Sequence, residues 1–247
     1  MSKHIYNLII KKEEPSKLNF LKINLKKNLP SKVDLRKKFQ SVYDQGNLGS
    51  CTACALCGLV GYKHKGFYGS RLFLYYVERM IDNTTSYDSG ATLADGIYCL
   101  KKYGVCPEKY WPYIIGKFKK RPNSNCFKIA KKNQSLKVLN INNNLSTMKN
   151  ALSDGHPFVF GIMVYDSFES DNATQTGVIP VPNTNSESLL GGHALVCVGY
   201  DDSKSSFIVR NSWGKSWGDN GNCYIPYDYL TNDNLTSDLW CILKQEK

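Results

Sequence analysis

The spacing of apolar residues changes between the two halves of the chain. In the first half, apolar positions recur every three or four residues, as Ala55, Leu59 and Tyr62 do, which is typical of one helix face. This spacing predicts helices over residues 51–65, 71–80 and 93–103. Ser50 is a candidate N-cap for the first helix, and Gly66 is a candidate for its end. The first half is therefore predicted to be mainly helical.

The second half carries the pattern of short strands. Runs rich in Val, Ile, Phe and Leu are bounded by Gly, Asp and Ser. These runs predict strands over residues 158–164, 193–200, 206–211, 223–225 and 239–243. Residues 117–137 are basic and contain proline, and we interpret them as a connector. Helices followed by strands favour an α+β fold with two lobes, a helical lobe at roughly 40–125 and a β-rich lobe at roughly 135–247.

Residues 1–28 differ from the rest of the chain. They are rich in lysine, lack glycine and show weak apolar periodicity, so we interpret them as an extension to a domain of residues 29–247. No apolar run is long enough to span a bilayer, and Leu8-Ile9-Ile10 is too short for a signal-peptide core. The expectation is a protein without a membrane partner, kept inside a cell or packaged in a particle.

Charge adds little to this prediction. The formal net charge is +11, and residues 1–40 and 117–137 each contribute a net +8. Such basic segments can contact nucleic acid, but 27 of the 32 basic residues are lysine. Arginine, which binds phosphate through two parallel hydrogen bonds, is scarce. The composition therefore disfavours nucleic acid as a partner.

The cysteines raise the question of which thiol is reactive. There are nine, an odd number, so at least one is free unless chains are cross-linked. Cys51, Cys54 and Cys57 form a C-x-x-C-x-x-C run that resembles part of an iron–sulfur site. A fourth ligand is missing nearby, and the stretch is predicted to be helical. No metal ion and no other cofactor is therefore expected.

Four residues combine the groups that thiol catalysis needs. Cys51 begins a predicted helix, whose partial positive charge lowers the pKa of a thiol. His193 can take up a proton and return it to a leaving amine. The side-chain oxygen of Asn211 can accept the other ring N–H, and Gln45 with the Cys51 N–H can donate to an oxyanion. The pattern predicts catalysis with Cys51 as nucleophile.

Three motifs resemble those of the papain-like (C1) cysteine proteases. Residues 45–51, which read Q-G-N-L-G-S-C, resemble the family's Q-G-x-C-G-S-C. His193-Ala194 matches its H-A motif, and residues 211–218 match N-S-W-G-x-x-W-G intact. His193 and Asn211 follow Cys51 by 142 and 160 residues, close to the spacing of about 130–150 in the family. The resemblance covers about residue 29 to the C-terminus.

The resemblance implies a papain-like fold, with a cleft between a helical lobe and a β-barrel-like lobe. It implies that Cys51, His193, Asn211 and Gln45 are catalytic. It also implies that the backbone of Gly90 binds substrate. The remaining substrate-binding candidates are Trp213, which would flank the leaving-group side and shield the His–Asn hydrogen bond, and Ser237 or Asp238 in the pocket for the P2 residue.

The activity implied is hydrolysis of peptide bonds in peptide or protein substrates. Family dipeptidases use a loop with two adjacent histidines, and no two of the four histidines here are adjacent, so an endopeptidase is expected. The alternative is a papain-fold binding protein that has lost catalysis. Residues 1–28 are much shorter than the usual prosegment. We expect part of them to lie over or in the cleft as an inhibitor until cleavage near Leu29-Pro30 or displacement; the alternative is a disordered tail without function.

The motifs also depart from the family pattern. Leu48 stands where the family has a disulfide-bonded cysteine, Thr52 replaces an aromatic residue, and Gly192 replaces the usual Asp or Asn before the histidine. These departures remove no catalytic group. They indicate a cathepsin-like branch with few disulfides.

Overall fold

A computed structural model provides the structure, which describes residues 4–10, 19–23 and 25–245. Its helices are α1 Cys51–Lys63, α2 Arg71–Ile81, α3 Leu93–Lys102, α4 Ser124–Ala130, α5 Leu145–Ser153, α6 Asp171–Thr176 and α7 Tyr227–Leu230. Its strands are β1 Lys32–Asp34, β2 Ser135–Asn140, β3 Phe158–Tyr165, β4 Leu189–Asp201, β5 Ser206–Arg210, β6 Asn222–Pro226 and β7 Thr236–Gln245. The described part therefore joins helices in its first half to one large sheet in its second.

The strands form a single antiparallel sheet in the order β2-β7-β3-β4-β5-β6, and β1 pairs with the far end of β4. β4 is long enough to pair with β3, β5 and β1. It places His193 opposite Ile162 of β3. The end of β5 lies beside it, directly before Asn211. The sheet thus brings two of the predicted catalytic residues onto neighbouring strands.

Two hydrophobic clusters fill the lobes, and β4 contributes to both. Ala194 and Val196 pack with α1, α2 and α3 in the first cluster. Leu195 and Cys197 point the other way, into the second cluster within the β-rich lobe. Because side chains alternate along a strand, burial on both faces explains why β4 reads as one continuous apolar run. The architecture confirms the predicted α+β, two-lobe, papain-like fold.

Several element boundaries differ from the prediction. α1 ends at Lys63, with His64 as its C-cap, so Gly66 does not end it. Ser50 is the N-cap residue but makes no capping bond; its hydroxyl lies 2.6 Å from that of Tyr113. The stretch 117–137 is not only a connector, because α4 and the start of β2 lie in it. Tertiary contacts outweigh the local signals at these positions.

No helix of the described chain has both the length and the apolar character needed to cross a membrane. All nine cysteines lie in the described part, and each is buried with an unpaired sulfur. Leu48, at the position of the family's bonded cysteine, is itself buried in the core. The fold is thus held by packing in these regions rather than by disulfides.

We expect the melting temperature to be the same with and without dithiothreitol, because no described cysteine contributes to a disulfide. Reducing a native disulfide in a small domain typically costs about 2–5 kcal/mol. Thermal melts in the two conditions make the comparison. A drop of many degrees with the reductant would contradict the expectation, and free-thiol counting of the denatured chain provides the control.

Candidate active site

The thiol of Cys51 lies at the buried amino end of α1. Cys51 is the first residue of that helix and is 0% exposed. The backbone N–H of Ala194 favours the thiolate form of Cys51 and so opposes the rise in the thiol pKa that burial causes. Ala194 directly follows His193 on β4, and α1 packs against this strand. The structure therefore places Cys51 beside the strand that carries His193.

An amide at the end of the neighbouring strand holds the imidazole of His193. Its Nε2 lies 2.9 Å from Oδ1 of Asn211. That Oδ1 also accepts a hydrogen bond from the Ser212 N–H at 2.7 Å, which keeps the amide oxygen turned toward the ring. Since Oδ1 can only accept, Nε2 carries the proton. Nδ1 has no hydrogen-bond partner among the described residues, so it is the nitrogen available to a thiol.

The indole of Trp213 covers this hydrogen-bonded pair. It stacks on His193 with ring centroids 4.9 Å apart and an angle of 22° between the planes. Trp217 and Phe168 support it edge-on, at 5.0 and 5.8 Å. This packing excludes water from the imidazole–amide hydrogen bond and so strengthens it.

The side chain of Gln45 is buried and fixed at both of its polar atoms. Nε2 donates to the carbonyl oxygen of Leu48 at 3.0 Å, and Oε1 accepts from the hydroxyl of Ser212 at 2.6 Å. The second bond ties the loop before the nucleophile to the loop after β5. Because an amide nitrogen carries two hydrogens, one remains for a developing oxyanion.

Residues 4–10 lie in the cleft between the lobes and cover this site. The N–H of Leu8 donates to the carbonyl oxygen of Gly192 at 3.1 Å, and the N–H of Ile9 donates to that of Ala91 at 3.0 Å. The first bond reaches β4, and the second reaches the loop before α3. The segment therefore bridges both walls of the cleft.

The start of this segment packs on the aromatic wall of the site. The ring of His4 stacks on Trp213 at 3.8 Å, and the ring of Tyr6 meets His193 edge-on at 5.8 Å. The Tyr6 hydroxyl donates to Oε1 of Glu169 at 2.6 Å, and the His4 N–H donates to the same oxygen at 3.1 Å. Glu169 thus anchors the segment over His193 and Trp213.

Glycines allow the segment's backbone to approach the cleft walls closely. Gly90 has φ +73°, and a Cβ at that position would overlap the carbonyl oxygen of Asn7. A Cβ at Gly192 would lie 2.6 Å from the carbonyl oxygen of Leu8. Gly90, predicted as a substrate contact, therefore contacts the N-terminal segment in this structure.

Leu8 fills a pocket beside Ser237. Leu8 is only 6% exposed. Its side chain and that of Ser237 both lie against Gly161: a Cβ added to this glycine would be 2.8 Å from Cδ2 of Leu8 and 3.3 Å from Oγ of Ser237. Asp238, with φ +56°, accepts a hydrogen bond from the Ser237 hydroxyl through Oδ2 at 3.2 Å. Of the two candidates for the pocket floor, Ser237 is the residue beside Leu8.

Enclosure under the segment holds the thiol and the imidazole uncharged. Burial raises the pKa of Cys51 to about 12 and lowers the pKa of His193 to about 4. Loss of hydration disfavours the charged form of each group. The Ala194 N–H and the Asn211 amide on the ring oppose these shifts only in part. Near neutral pH the covered pair is therefore a thiol and a neutral imidazole.

The cysteine run on α1 forms part of the core. Cys54 and Cys57 are buried and belong to the hydrophobic cluster of the helical lobe. Nowhere in the described chain do three or more His, Cys, Asp or Glu side chains form a group suited to a metal ion. The functional groups described at this site are the thiol of Cys51, the imidazole of His193 and the side-chain amides of Asn211 and Gln45.

A family model described as "Papain family cysteine protease" matches residues 29–238, which is most of the chain. The chain belongs to the papain family of cysteine proteases. This confirms the family predicted from the motifs, and the protein is accordingly a cysteine-type peptidase.

Relatives and solved structures agree with this membership. An uncharacterized peptidase C1-like protein, L477 of Acanthamoeba polyphaga mimivirus, is 40% identical over 228 residues, 85% of this chain and 73% of that one. Cysteine proteinase RD21A of Arabidopsis thaliana is 30% identical over 215 residues, 78% of this chain but only 41% of that one. Xylellain, a cysteine protease from Xylella fastidiosa, is 38% identical with a TM-score of 0.87, over 96% and 95% of the two chains.

A further likeness concerns the fold alone. A proCathepsin B from Trypanosoma congolense superposes with a TM-score of 0.79 at 18% identity, over 98% of this chain and 87% of that one. The papain-family fold therefore extends over nearly the whole chain.

Motif spacing assigns no role to three residues that hold this papain-family site together. Ser212 donates a hydrogen bond to Gln45. Because it belongs to the N-S-W-G motif, the sequence could have marked it as part of the site. Asp88 accepts the N–H of Gly49 at 2.9 Å and orders the loop before the nucleophile. Glu169 anchors the N-terminal segment. Asp88 and Glu169 reach the site only through the fold, and no local pattern marks them.

A buried carboxyl lies under the start of the nucleophile helix. The hydroxyl of Thr52, the residue after Cys51, donates to Oε2 of Glu78 at 2.7 Å. Oε1 of Glu78 has no hydrogen-bond partner among the described residues. Burial raises the pKa of Glu78 to about 8, and Asp95 adds to the shift. The carboxyl therefore stays protonated near neutral pH.

This shift predicts that stability falls as pH rises from about 4.5 to 8. In that range the folded state retains a proton on Glu78 that the unfolded state has lost, so raising the pH favours unfolding. The loss approaches about 1 kcal/mol per pH unit for one proton. Glu78→Gln, which cannot ionise, is expected to flatten the profile of melting temperature against pH. Asp228→Asn, at an exposed carboxyl on α7, serves as the matched control, and equal slopes for wild type and Glu78→Gln would contradict the prediction.

Proposed function

We propose that this papain-family protein is an endopeptidase that uses Cys51 as its nucleophile and His193 as its proton carrier. The observation that carries the proposal is the arrangement on β4. Ala194, whose N–H favours the thiolate of Cys51, directly follows His193, and the His193 imidazole is bound through Nε2 by Asn211 at 2.9 Å. Nδ1 is thereby left to receive the thiol proton. A helix amino end and an imidazolium both favour a thiolate.

The reaction begins when the cleft opens to solvent. Hydration then removes the burial penalty on the charged pair, and the proton moves from Sγ of Cys51 to Nδ1 of His193. The thiolate attacks the carbonyl carbon of the scissile bond. The oxyanion accepts hydrogen bonds from Nε2 of Gln45 and the backbone N–H of Cys51. His193 returns the proton to the leaving amine and then deprotonates the water that hydrolyses the thioester.

The N-terminal segment acts as the protein's own inhibitor in this proposal. It runs from Trp213, on the leaving-group side implied by the family resemblance, toward Gly90, on the acyl side. A substrate would run from Gly90 toward Trp213, so the segment has the reverse direction. Reversal presents no peptide carbonyl in the orientation that the oxyanion donors require. Cleavage near Leu29-Pro30, or displacement, would free Cys51.

The proposal rests on the described residues 4–10 for the covering contacts. Residues 19–23 and 25–28 are also described, and the N–H of Leu21 donates to the carbonyl oxygen of Asn140 at 2.8 Å. The remaining parts of 1–28, at 1–3, 11–18 and 24, lie outside the described residues. The two described contacts, in the cleft and on β2, support a segment that lies along the body of the protein.

Substrates with leucine at P2, the second residue on the amino side of the cleaved bond, are expected to exceed those with arginine by at least about tenfold in kcat/KM. The reason is the pocket of Leu8, where Ser237 supplies a hydroxyl and no carboxylate. An arginine there would lose hydration without gaining a counter-charge. Paired fluorogenic peptides measure the ratio. Ser237→Asp should move the ratio toward arginine, and an arginine preference of the wild type would contradict the assignment.

Endopeptidase action is tested with peptides blocked at both ends. The enzyme is expected to cut internal bonds of such peptides, and mass spectrometry of the products locates the cut. A requirement for a free terminus would instead indicate an exopeptidase. The alternative, a papain-fold binding protein without catalysis, predicts that the uncovered protein binds the peptides and leaves them intact. The complete set of oriented thiol, imidazole and amide groups favours the enzyme.

A further inference from the structure

A cavity of about 250 Å³ lies apart from the cleft and shares none of its residues. Its wall is formed by the stretch before α1 and by residues of β4, β5, β6 and the loop after β5. Three of its nine lining residues are cationic, namely Arg36, Arg210 and Lys215, and none is acidic. The residues that line this cationic cavity have no part in the proposed peptidase chemistry.

Arg210 is the buried member of the set. Its side chain is only 6% exposed. Nη1 donates to the carbonyl oxygen of Gln40 at 2.9 Å, and Nη2 donates to that of Ser41 at 2.5 Å. None of the ion pairs between described residues includes Arg210. A guanidinium has five N–H donors, and these two bonds use only two of them. The positive charge of Arg210 therefore has no carboxylate partner among the described residues, and some of its N–H groups remain available to a ligand.

The other two cations differ in how their charge is compensated. Arg36 donates to Asp34 and to Asp219, each at 2.7 Å, so these two carboxylates outweigh its single positive charge. Lys215 is exposed, and no carboxylate of the described chain pairs with it. Arg210, buried in the wall, and Lys215 are therefore the two cations of the cavity that have no carboxylate partner among the described residues.

We propose that the cationic cavity binds an oxyanion of the phosphate or sulfate class carried on a small organic group. A buried cation without a counter-ion is costly, and an anion in the cavity supplies the missing charge. The planar guanidinium fork suits tetrahedral oxyanions. The volume exceeds that of a bare oxyanion, and the ring of Phe39, 5.6 Å from the Arg210 guanidinium, lines the rest of the space.

The position of Arg210 links this site to the catalytic strands. Arg210 is the last residue of β5 and directly precedes Asn211. It also lines a second, small cavity of about 10 Å³ together with Asn211 and Ser212. A bound oxyanion would hold the guanidinium and steady the strand end that positions the amide on His193. Binding is therefore expected to raise the melting temperature.

The test is calorimetric titration of the full chain with inorganic phosphate, inorganic sulfate and phenyl phosphate, at an ionic strength held constant with chloride. One saturable site is expected, with phenyl phosphate the tightest ligand because its ring can pack on Phe39. The preferred inorganic ion identifies whether phosphate or sulfate is the natural group, and equal affinities assign the site to both.

Three variants locate the binding. Lys215→Gln is expected to weaken binding at least about fivefold, since one charge-assisted contact is lost. Arg210→Lys keeps the charge but removes the fork, and it should weaken binding further. Lys128→Gln, at an exposed lysine on α4, should bind as the wild type does. Absence of saturable binding by all three probes, or equal binding by Lys215→Gln and wild type, would overturn the proposal; a melt of each variant without ligand checks its fold.

Discussion

Replacing Cys51 with alanine, or His193 with alanine, is expected to lower kcat for peptide hydrolysis by about four to six orders of magnitude. The two residues act as one unit, so the loss of either removes the nucleophile or the base that activates it. The proposed mechanism assigns Cys51 as the nucleophile and His193, whose imidazole is hydrogen-bonded to Asn211 at 2.9 Å, as the base. Steady-state rates of the chain beginning at Leu29 give the comparison.

The matched variant is Asn211→Ala, which is expected to cost much less activity. Asn211 orients the imidazole through the 2.9 Å hydrogen bond but transfers no proton. Melting curves of all three variants verify that the fold is kept, because each side chain is buried. Near-normal turnover by a folded Cys51→Ala protein would contradict the assignment of the nucleophile.

A chain that begins at Leu29 is expected to hydrolyse peptides at least about tenfold faster than the full chain. Residues 4–10 cover the thiol and the imidazole, so only the fraction of molecules with the segment undocked can act. Each 1.4 kcal/mol of docking free energy lowers that fraction about tenfold. Initial rates of the two chains, with the full chain confirmed as uncleaved by mass, provide the measurement. A synthetic peptide of residues 1–28 should restore inhibition.

Two adjacent residues offer a matched pair of variants in the full chain. Leu8 is 6% exposed in its pocket, whereas the neighbouring Ile9 is 37% exposed. Leu8→Asp should therefore release the segment and raise activity, while Ile9→Asp should change it little. Equal rates for the full chain, Leu8→Asp and the chain beginning at Leu29 would rule out inhibition by the segment.

The sequence predicts a set of catalytic residues because the residue types that thiol catalysis needs occur in short motifs. Gln45 and Cys51 share one motif, and Asn211 and Trp213 share another. The change from helical periodicity in the first half to strand patterns in the second predicts the α+β, two-lobe arrangement. Residues that lie within one short motif are held near each other by the local backbone, so their grouping can be predicted without knowledge of the tertiary contacts.

Other features of the site depend on contacts between distant segments. Glu78 of α2 accepts a hydrogen bond from Thr52 of α1, and Glu169 accepts one from Tyr6 although 163 positions separate the two residues. No periodicity or spacing in the sequence predicts such pairs. The register of β7, which places Ser237 rather than Asp238 beside Leu8, likewise follows from pairing with β3.

The ends of elements were hardest to predict for a related reason. α1 is buried along most of its length, so packing fixes its end at Lys63 rather than the glycine that follows. The basic stretch 117–137 lacks strong apolar periodicity, yet Cys126 and Ala130 of α4 are buried against the helical lobe. Burial of a few residues is enough to form an element that the local pattern does not predict.

The most direct test of the central claim is covalent labelling of the chain beginning at Leu29 with a thiol-directed epoxide inhibitor. One equivalent is expected to add, to map by peptide mass to Cys51 among the nine cysteines, and to abolish hydrolysis in step with labelling. The Cys51→Ala variant should stay unlabelled, and the full chain should label more slowly. Loss of activity with the label on a different cysteine, or full activity with Cys51 labelled, would contradict the account.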